Sequence, residues 1–235
     1  MELRTQVKKL SLWIFIIPFV TVNLCLFVAT NYQIFDNTFL SVDQIGRSQP
    51  TFPYFDGGVS ISRTARTYPT FLIFKPGMIF TSILLIIYWI KTNKIINFYQ
   101  GNEQKYLFKT LGIISAVMLI VHSIFLGIKF DNDFYKFFRR FVLLSFIIFE
   151  VFAQSLLVYG LYKIKNIIRN DINNYALIMK IILVTILITT ALVCLPIIVT
   201  SGNTHFKHAL EWNYFLGVIV FYLFTFLFWK KTPTT

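Results

Sequence analysis

Six apolar stretches of about twenty residues each constrain this chain more than any other feature: residues 10–29, 71–90, 106–128, 141–161, 175–200 and 212–229. A helix rises about 1.5 Å per residue, so some twenty residues cross a hydrocarbon core about 30 Å thick. No water reaches that core, and every backbone N–H and C=O must find its partner within the protein. The stretches are read as hydrocarbon-spanning helices separated by short connections. The chain is therefore predicted to be all-α and integral to the membrane: a single six-transmembrane-helix bundle with a long outer first loop and both termini cytoplasmic.

Composition excludes the soluble alternatives. Hydrophobic residues make up 56% of the 235 and charged residues 14%, against roughly 25% charged in soluble domains. No stretch is left over for a separate soluble module. The formal net charge of +12 would suggest nucleic acid in a soluble protein. Here the basic residues stand at the ends of the apolar stretches, where anionic lipid and topology account for them, so no nucleic-acid partner is expected. Cys25 and Cys194 both fall inside apolar runs and read as packed thiols.

Arg4, Lys8 and Lys9 precede the first run in the manner of a signal peptide. That run is long enough to span and lacks a small-x-small cleavage pattern, so it is read as a retained first helix, kinked at Pro18. With the N-terminus inside, the connections carrying Lys91, Lys94, Lys163, Lys165 and Arg169 lie on the cytoplasmic side together with Lys180 and Lys230. That side then holds the excess of positive charge expected of it. Arg139 and Arg140 oppose the rule and call for an anionic partner, with Asp131 and Asp133 as candidates. Tyr88 and Trp89, closing the second stretch, suit an interfacial aromatic belt.

The segment Thr51–Pro76 stands apart because it combines aromatics, one acid, a Gly pair, two arginines and three prolines in one loop. It contains no Asn-x-Ser/Thr acceptor site. On this topology Asp56, Arg63, Arg66, Arg139, Arg140, His205, His208 and Glu211 all lie outside, and His122 lies about 9 Å below the end of the third stretch. Such a mixed, aromatic-rimmed cluster suits a phosphate-bearing lipid headgroup. Ordinary solvated charges with local partners are the plainer explanation for any single member.

His205, His208 and Glu211 stand three residues apart, so a helix beginning there would place them on one face. With His122 they offer nitrogen ligands, but the spacing is not HExxH and the chain has three histidines in all. Histidines at a helix entry are the preferred reading, with no metal and no cofactor beyond a bound lipid. Glu150 lies in mid-stretch, where an acid is costly and faces a partner inside the bundle; Gln154, one turn on, is the nearest. No serine elbow, phosphate-cradling glycine loop or Cys–His pair is present.

Pro53-Tyr54-Phe55-Asp56 in the first loop, Tyr68-Pro69-Thr70 before the second stretch, Phe74-Lys75-Pro76-Gly77 within it and Glu211-Trp212 opening the last resemble the DRAM/Frag/Sfk family of six-span membrane proteins. The resemblance covers the layout of essentially the whole chain. It departs at Phe55, where that family often has Ser, and at Thr70, where it often has an acid. What it implies is a helical protein of the Golgi, ER, lysosome or plasma membrane acting in lipid handling, with branches in autophagy modulation and remodelling of GPI-anchored proteins. Three readings stand open. The preferred one is a non-catalytic protein that binds lipid and regulates or assists lipid handling or remodelling, meeting membrane lipids and protein partners through its basic inner loops. The others are a lipid-modifying enzyme using the outer His/Asp/Glu cluster, and a structural subunit of a larger membrane assembly.

Overall fold

The structure is a computed structural model that describes residues 2–100, 107–128, 132–200 and 202–230. Its helices are α1 (Glu2–Thr30), the short α2 (Ile61–Ala65), α3 (Thr70–Gln100), α4 (Leu107–Phe125), α5 (Asp133–Ile164), α6 (Asn174–Val199) and α7 (Thr204–Phe228). All but α2 are long and apolar enough to cross a membrane. This is the architecture of a multi-pass integral membrane protein.

The six long helices form a closed ring. Each packs on the next long helix in the chain, and α7 returns to pack on α1. The chain ends therefore meet at one end of the bundle, where Lys8 Nζ donates to the Trp229 carbonyl at 2.6 Å. Arg4 pairs with Asp171, and Tyr99 donates to the same carboxylate at 2.9 Å, which fastens the α5–α6 connection beneath α1 and α3. The opposite end is covered by the segment 31–69, the cap.

Four helices run beyond the stretches predicted from hydropathy. α1 begins at Glu2, α3 continues to Gln100, α5 begins at Asp133 and α7 at Thr204. Hydropathy marks where hydrocarbon begins, but a helix ends where its terminal amides and carbonyls find other partners. Asn132 caps α5 by accepting from the Phe134 N–H at 3.0 Å, and Asn173 does the same for α6 through Tyr175 at 3.0 Å. Arg139, Arg140, His205, His208 and Glu211 consequently lie on helical turns.

Three buried clusters fill the ring among the described residues. The largest, in the half nearer the termini, contains Tyr88, Trp89, Phe108, Leu157, Tyr222 and Phe228. A second, under the cap, joins Val22, Cys25, Phe74, Met78, Leu126 and Trp212 to the cap residues Val59 and Ile61. A small third one packs Val151, Leu187 and Val218 between α5, α6 and α7. Tyr88 and Trp89, expected at an interface, are 0% exposed. Both turn inward, where Tyr88 stacks edge-to-face on Trp89 at 5.1 Å and on Tyr222 at 5.0 Å; such pairs add to packing beyond their area. Cys25 and Cys194 are free and buried. α6 is the least enclosed long helix, with 11% of its most apolar window buried.

Candidate functional site

The polar groups singled out from the sequence separate into three places: a docked loop on α7, a cationic corner beside it, and a hydrogen-bonded seam inside the ring.

The loop is built around Asp56. Its carboxylate accepts from Thr51 Oγ1 at 2.5 Å, from the Phe52 N–H at 2.8 Å and from the Gly58 N–H at 2.8 Å. These bonds fold residues 51–58 into a tight turn. They also hold the Asp56 carboxyl below its ordinary range, with the Thr51 hydroxyl contributing most and the Gly58 amide next. Gly57 follows at φ +61°, and a Cβ there would lie 1.7 Å from the His205 carbonyl oxygen. Only glycine meets both the dihedral and the space.

α7 grips this turn with its first three helical turns. His205 Nδ1 lies 3.1 Å from the Asp56 carbonyl and His208 Nδ1 3.0 Å from the Gly57 carbonyl. A carbonyl only accepts, so each ring carries its hydrogen on Nδ1. The Ser62 N–H donates to Glu211 at 3.4 Å, Trp212 Nε1 donates to the Val59 carbonyl at 2.8 Å, and Asn213 Nδ2 donates to the Tyr54 carbonyl at 2.7 Å. The Tyr54 ring meets Trp212 edge-to-face at 5.0 Å, and Asn23 of α1 donates to its hydroxyl at 3.1 Å. Asp56, His205, His208 and Glu211 thus converge, as residues that fasten the cap. Among the described residues no group of three or more His, Cys, Asp or Glu is placed to hold a metal ion.

The cationic corner contains Arg63 and Arg66 from α2 and the turn after it, Arg139 from the second turn of α5, and His122. α4 ends at Phe125 because Gly127, at φ +83°, supplies the left-handed residue that closes a helix. His122 therefore stands one turn from the helix end, shallower than the hydropathy profile predicts. The Arg66 backbone rests on the same glycine, whose Cβ would lie 2.7 Å from the Arg66 carbonyl oxygen. Burial first, then the charges of Arg139 and Arg63, push the Arg66 guanidinium below its ordinary range. The charge of Arg139 also acts on His122. Arg139 lies 5.9 Å above the Tyr135 ring, and Tyr135 is itself tied to the Phe125 carbonyl at 2.6 Å. Arg140 is exposed. Asp131, one of the carboxylates expected to pair with these arginines, lies outside the described residues. The ion pairs found among the described residues are Arg4–Asp171 and Arg47–Asp36, neither of which belongs to the corner.

The interior seam is centred on Glu150, 1% exposed. Ser115 of α4 hydrogen-bonds one carboxyl oxygen at 2.7 Å. The other oxygen accepts from Tyr222 of α7 and from Gln154 Nε2 at 3.2 Å. Gln154 also donates to the Val218 carbonyl at 3.1 Å, so it reaches both its own helix and α7. Three residues beyond Tyr222, Thr225 Oγ1 lies 3.5 Å from the Tyr88 hydroxyl and accepts from Lys180 Nζ at 2.8 Å. Lys180 is 0% exposed and lies over the Phe221 ring at 4.1 Å. These bonds tie α4 to α5 and fasten α3, α5 and α6 to α7. Glu150 and Gln154 are expected here from the sequence; Tyr88 is expected at an interface and Lys180 among the cytoplasmic basic residues, and both are instead buried in the seam, while Ser115, Tyr222 and Thr225 are not singled out. The available signal was hydroxyl and amine groups inside otherwise apolar runs, which shows that a polar atom is present but not which way it faces.

No family model, no curated protein and no solved structure matches the chain.

Proposed function

We propose that this is a multi-pass membrane protein that binds lipid through its cap end and regulates or assists membrane lipid handling or remodelling without itself making or breaking a bond. One observation carries the reading. The acids and histidines of the cap are committed to holding the loop on α7, while Arg63, Arg66 and Arg139 stand together with no carboxylate paired to them among the described residues. A cluster of arginines favours an anion, and arginine forks fit phosphate oxygens. Phe39, Phe52 and Phe55 are exposed on the same cap, at 81%, 58% and 83%, and suit the boundary between headgroups and acyl chains.

The distribution of basic residues orients the cap toward the exterior or an organelle lumen and the termini toward the cytoplasm. The Golgi, ER, lysosome and plasma membrane follow from the resemblance to DRAM/Frag/Sfk proteins. An enzyme would use Asp56, His205 or His208, whose present bonds are to the loop's own backbone and to the Thr51 hydroxyl; the proposal is non-catalytic for that reason. The reading as a subunit of a larger assembly draws on α6, whose highly apolar surface is left mostly uncovered. Native mass spectrometry of the detergent-purified chain distinguishes the readings. A lipid that stays bound and is lost in Arg66→Gln/Arg139→Gln is the expected result, and a chain that carries no lipid and purifies only with another protein would overturn it. The lipid profile of a deletion strain then identifies the pathway affected.

A further inference from the structure

α6 and α7 are held together from their terminus-side ends as far as Gly217. Ile172 pairs with Trp229, Lys180 reaches Thr225, and a Cβ on Gly217 would lie 2.8 Å from Leu187 Cδ2. Along that last contact a groove of about 310 Å³ opens between the two helices, with Leu183, Leu187, Thr190, Leu210, Tyr214 and Gly217 in its walls. The walls are almost wholly apolar. Residues 183–190 form the middle of α6, the helix whose most apolar window is only 11% buried, so the groove opens sideways into hydrocarbon rather than toward water. It follows residues 210–220 of α7, about 15 Å at a rise of 1.5 Å per residue. That is half of a hydrocarbon core about 30 Å thick, the depth of one leaflet.

The upper end of the groove reaches the cap. Asn213, which lines it, donates to the Tyr54 carbonyl at 2.7 Å. Lys207, one turn before Leu210 on the same face of α7, donates to the carbonyl of Thr200, the residue that ends α6. An ammonium therefore bridges the two helices at the cap-side mouth. It has three donors, of which this carbonyl takes one.

We infer that the groove seats one acyl chain of a phospholipid from the cap-side leaflet, with the phosphate at Lys207. The inference rests on the lipid-binding reading above and gives the chain its place. Apolar walls at this depth offer water no partners, and an empty groove would forfeit the contacts of its lining. A transmembrane helix is about 10 Å across, so 15 Å of it occupies roughly 1,200 Å³, about four times the room available; it would lie on the rim and leave the groove unfilled. A single chain is narrow enough to enter, runs the depth of one leaflet as the groove does, and brings its phosphate to the level of the ammonium.

The test uses the full chain in phosphatidylcholine nanodiscs doped with a phospholipid that carries a diazirine on its acyl chain, the photolabel being mapped by peptide mass spectrometry. Residues 183–190 and 210–220 should be labelled about tenfold more than the exposed face of α1 at Trp13, Val20 and Leu24, a preference equivalent to about 1.4 kcal/mol. Thr190→Trp and Leu210→Trp fill the groove from opposite walls, and each should remove that excess at an unchanged melting temperature. Thr189→Trp adds the same ring to the exposed face of α6 outside the groove and should leave the excess intact. Lys207→Gln should lower it, and an excess unchanged in that variant would overturn the placing of the phosphate. Label spread evenly over the exposed faces, or an excess that survives both filling variants, would overturn the groove assignment, and lipid still retained in native mass spectrometry would leave the broader reading standing. A dimer that Thr190→Trp dissociates would give this face to a second copy and overturn the assignment likewise. Retention of no lipid of any kind would overturn the lipid-binding reading beneath it.

Discussion

Tyr222 of α7 donates its phenolic hydrogen to Glu150 of α5, 72 residues away in sequence, and both side chains are buried. The bond closes a cage in which Ser115 and Gln154 complete the contacts of the carboxyl group. Removing the acid while keeping its shape should therefore be tolerated better than removing it outright. Glu150→Gln retains a carbonyl oxygen for Tyr222 and Gln154. Glu150→Leu leaves the Ser115 and Tyr222 hydroxyls without the carboxyl they bond, at about 1–3 kcal/mol for each one stranded, while Gln154 keeps its bond to the Val218 carbonyl. Thermal unfolding in a fixed detergent should rank the chains wild type, then Gln, then Leu, and a Leu variant as stable as wild type would remove the cage from any account of stability. Tyr222→Phe should cost about 1–3 kcal/mol by the same reasoning.

Gly57 makes the cap a separately testable element. Its φ of +61° and the 1.7 Å approach of a notional Cβ to the His205 carbonyl oxygen leave no room for alanine. Forcing a residue with a side chain into the left-handed region costs roughly 1–2 kcal/mol before the clash is counted. Gly57→Ala should undock the turn from α7 while the ring of long helices remains. Limited trypsin digestion in nanodiscs reads the difference, with faster cleavage after Arg63 and Arg66 and unchanged helical circular dichroism. Cleavage at the wild-type rate would show that the His205 and His208 contacts do not hold the loop.

How much of this was legible in the sequence depends on which physical signal each feature carries. Hydrocarbon length is written directly in the apolar stretches, which is why six spanning helices emerged. The helix ends did not, because Asn132 and Asn173 act as caps through local bonds that hydropathy does not register. Direction around a helix was equally hidden. Tyr88 and Trp89 occupy the sequence position of an interfacial belt yet face the bundle interior, since an apolar helix shows little amphipathic contrast and only its neighbours decide which face is inside. At the cap, the i, i+3, i+6 spacing placed His205, His208 and Glu211 on one face, but what that face would meet depended on the turn at Asp56, 149 residues from His205.

The turn at Asp56 also sets a pH dependence. Its carboxyl is held below the ordinary range by the Thr51 hydroxyl and the Gly58 and Phe52 amides. A group whose folded pKa lies below its unfolded value, about 3.9 for Asp, stabilises the fold fully above that value. The contribution is lost as pH falls through the folded pKa. Cap protection against exchange or an acid-active protease should accordingly be constant through neutral pH and decline in acid below about pH 4. Asp56→Asn should lower protection at neutral pH and flatten the acid step. A wild-type profile retaining full protection in strong acid would show that the ionised carboxylate is not what shapes the turn. Asp171 follows the same sign through its bond from Arg4, at the opposite end of the bundle, so exchange resolved by peptide separates the two.

Lys180 gives the sharpest contrast between a residue's identity and its placement. Counted along the sequence it is one more basic residue near the cytoplasmic side, free to extend toward water along its stem. In the fold its amine is turned inward to Thr225 Oγ1 at 2.8 Å and lies against Phe221 and Phe228. One hydroxyl and two ring faces are few partners for a buried amine, and replacing a buried polar group by an apolar one of similar shape is often neutral or stabilising. Lys180→Met keeps the length and packing of the stem, so its melting temperature in detergent should equal or exceed that of wild type. Lys180→Ala removes most of a fully buried side chain and should lose about 2–4 kcal/mol by analogy with large-to-small core changes. If Met instead proves as damaging as Ala, the amine itself is what the bundle needs, and the seam from Glu150 to Lys180 becomes a polar element that the protein retains for use rather than for stability.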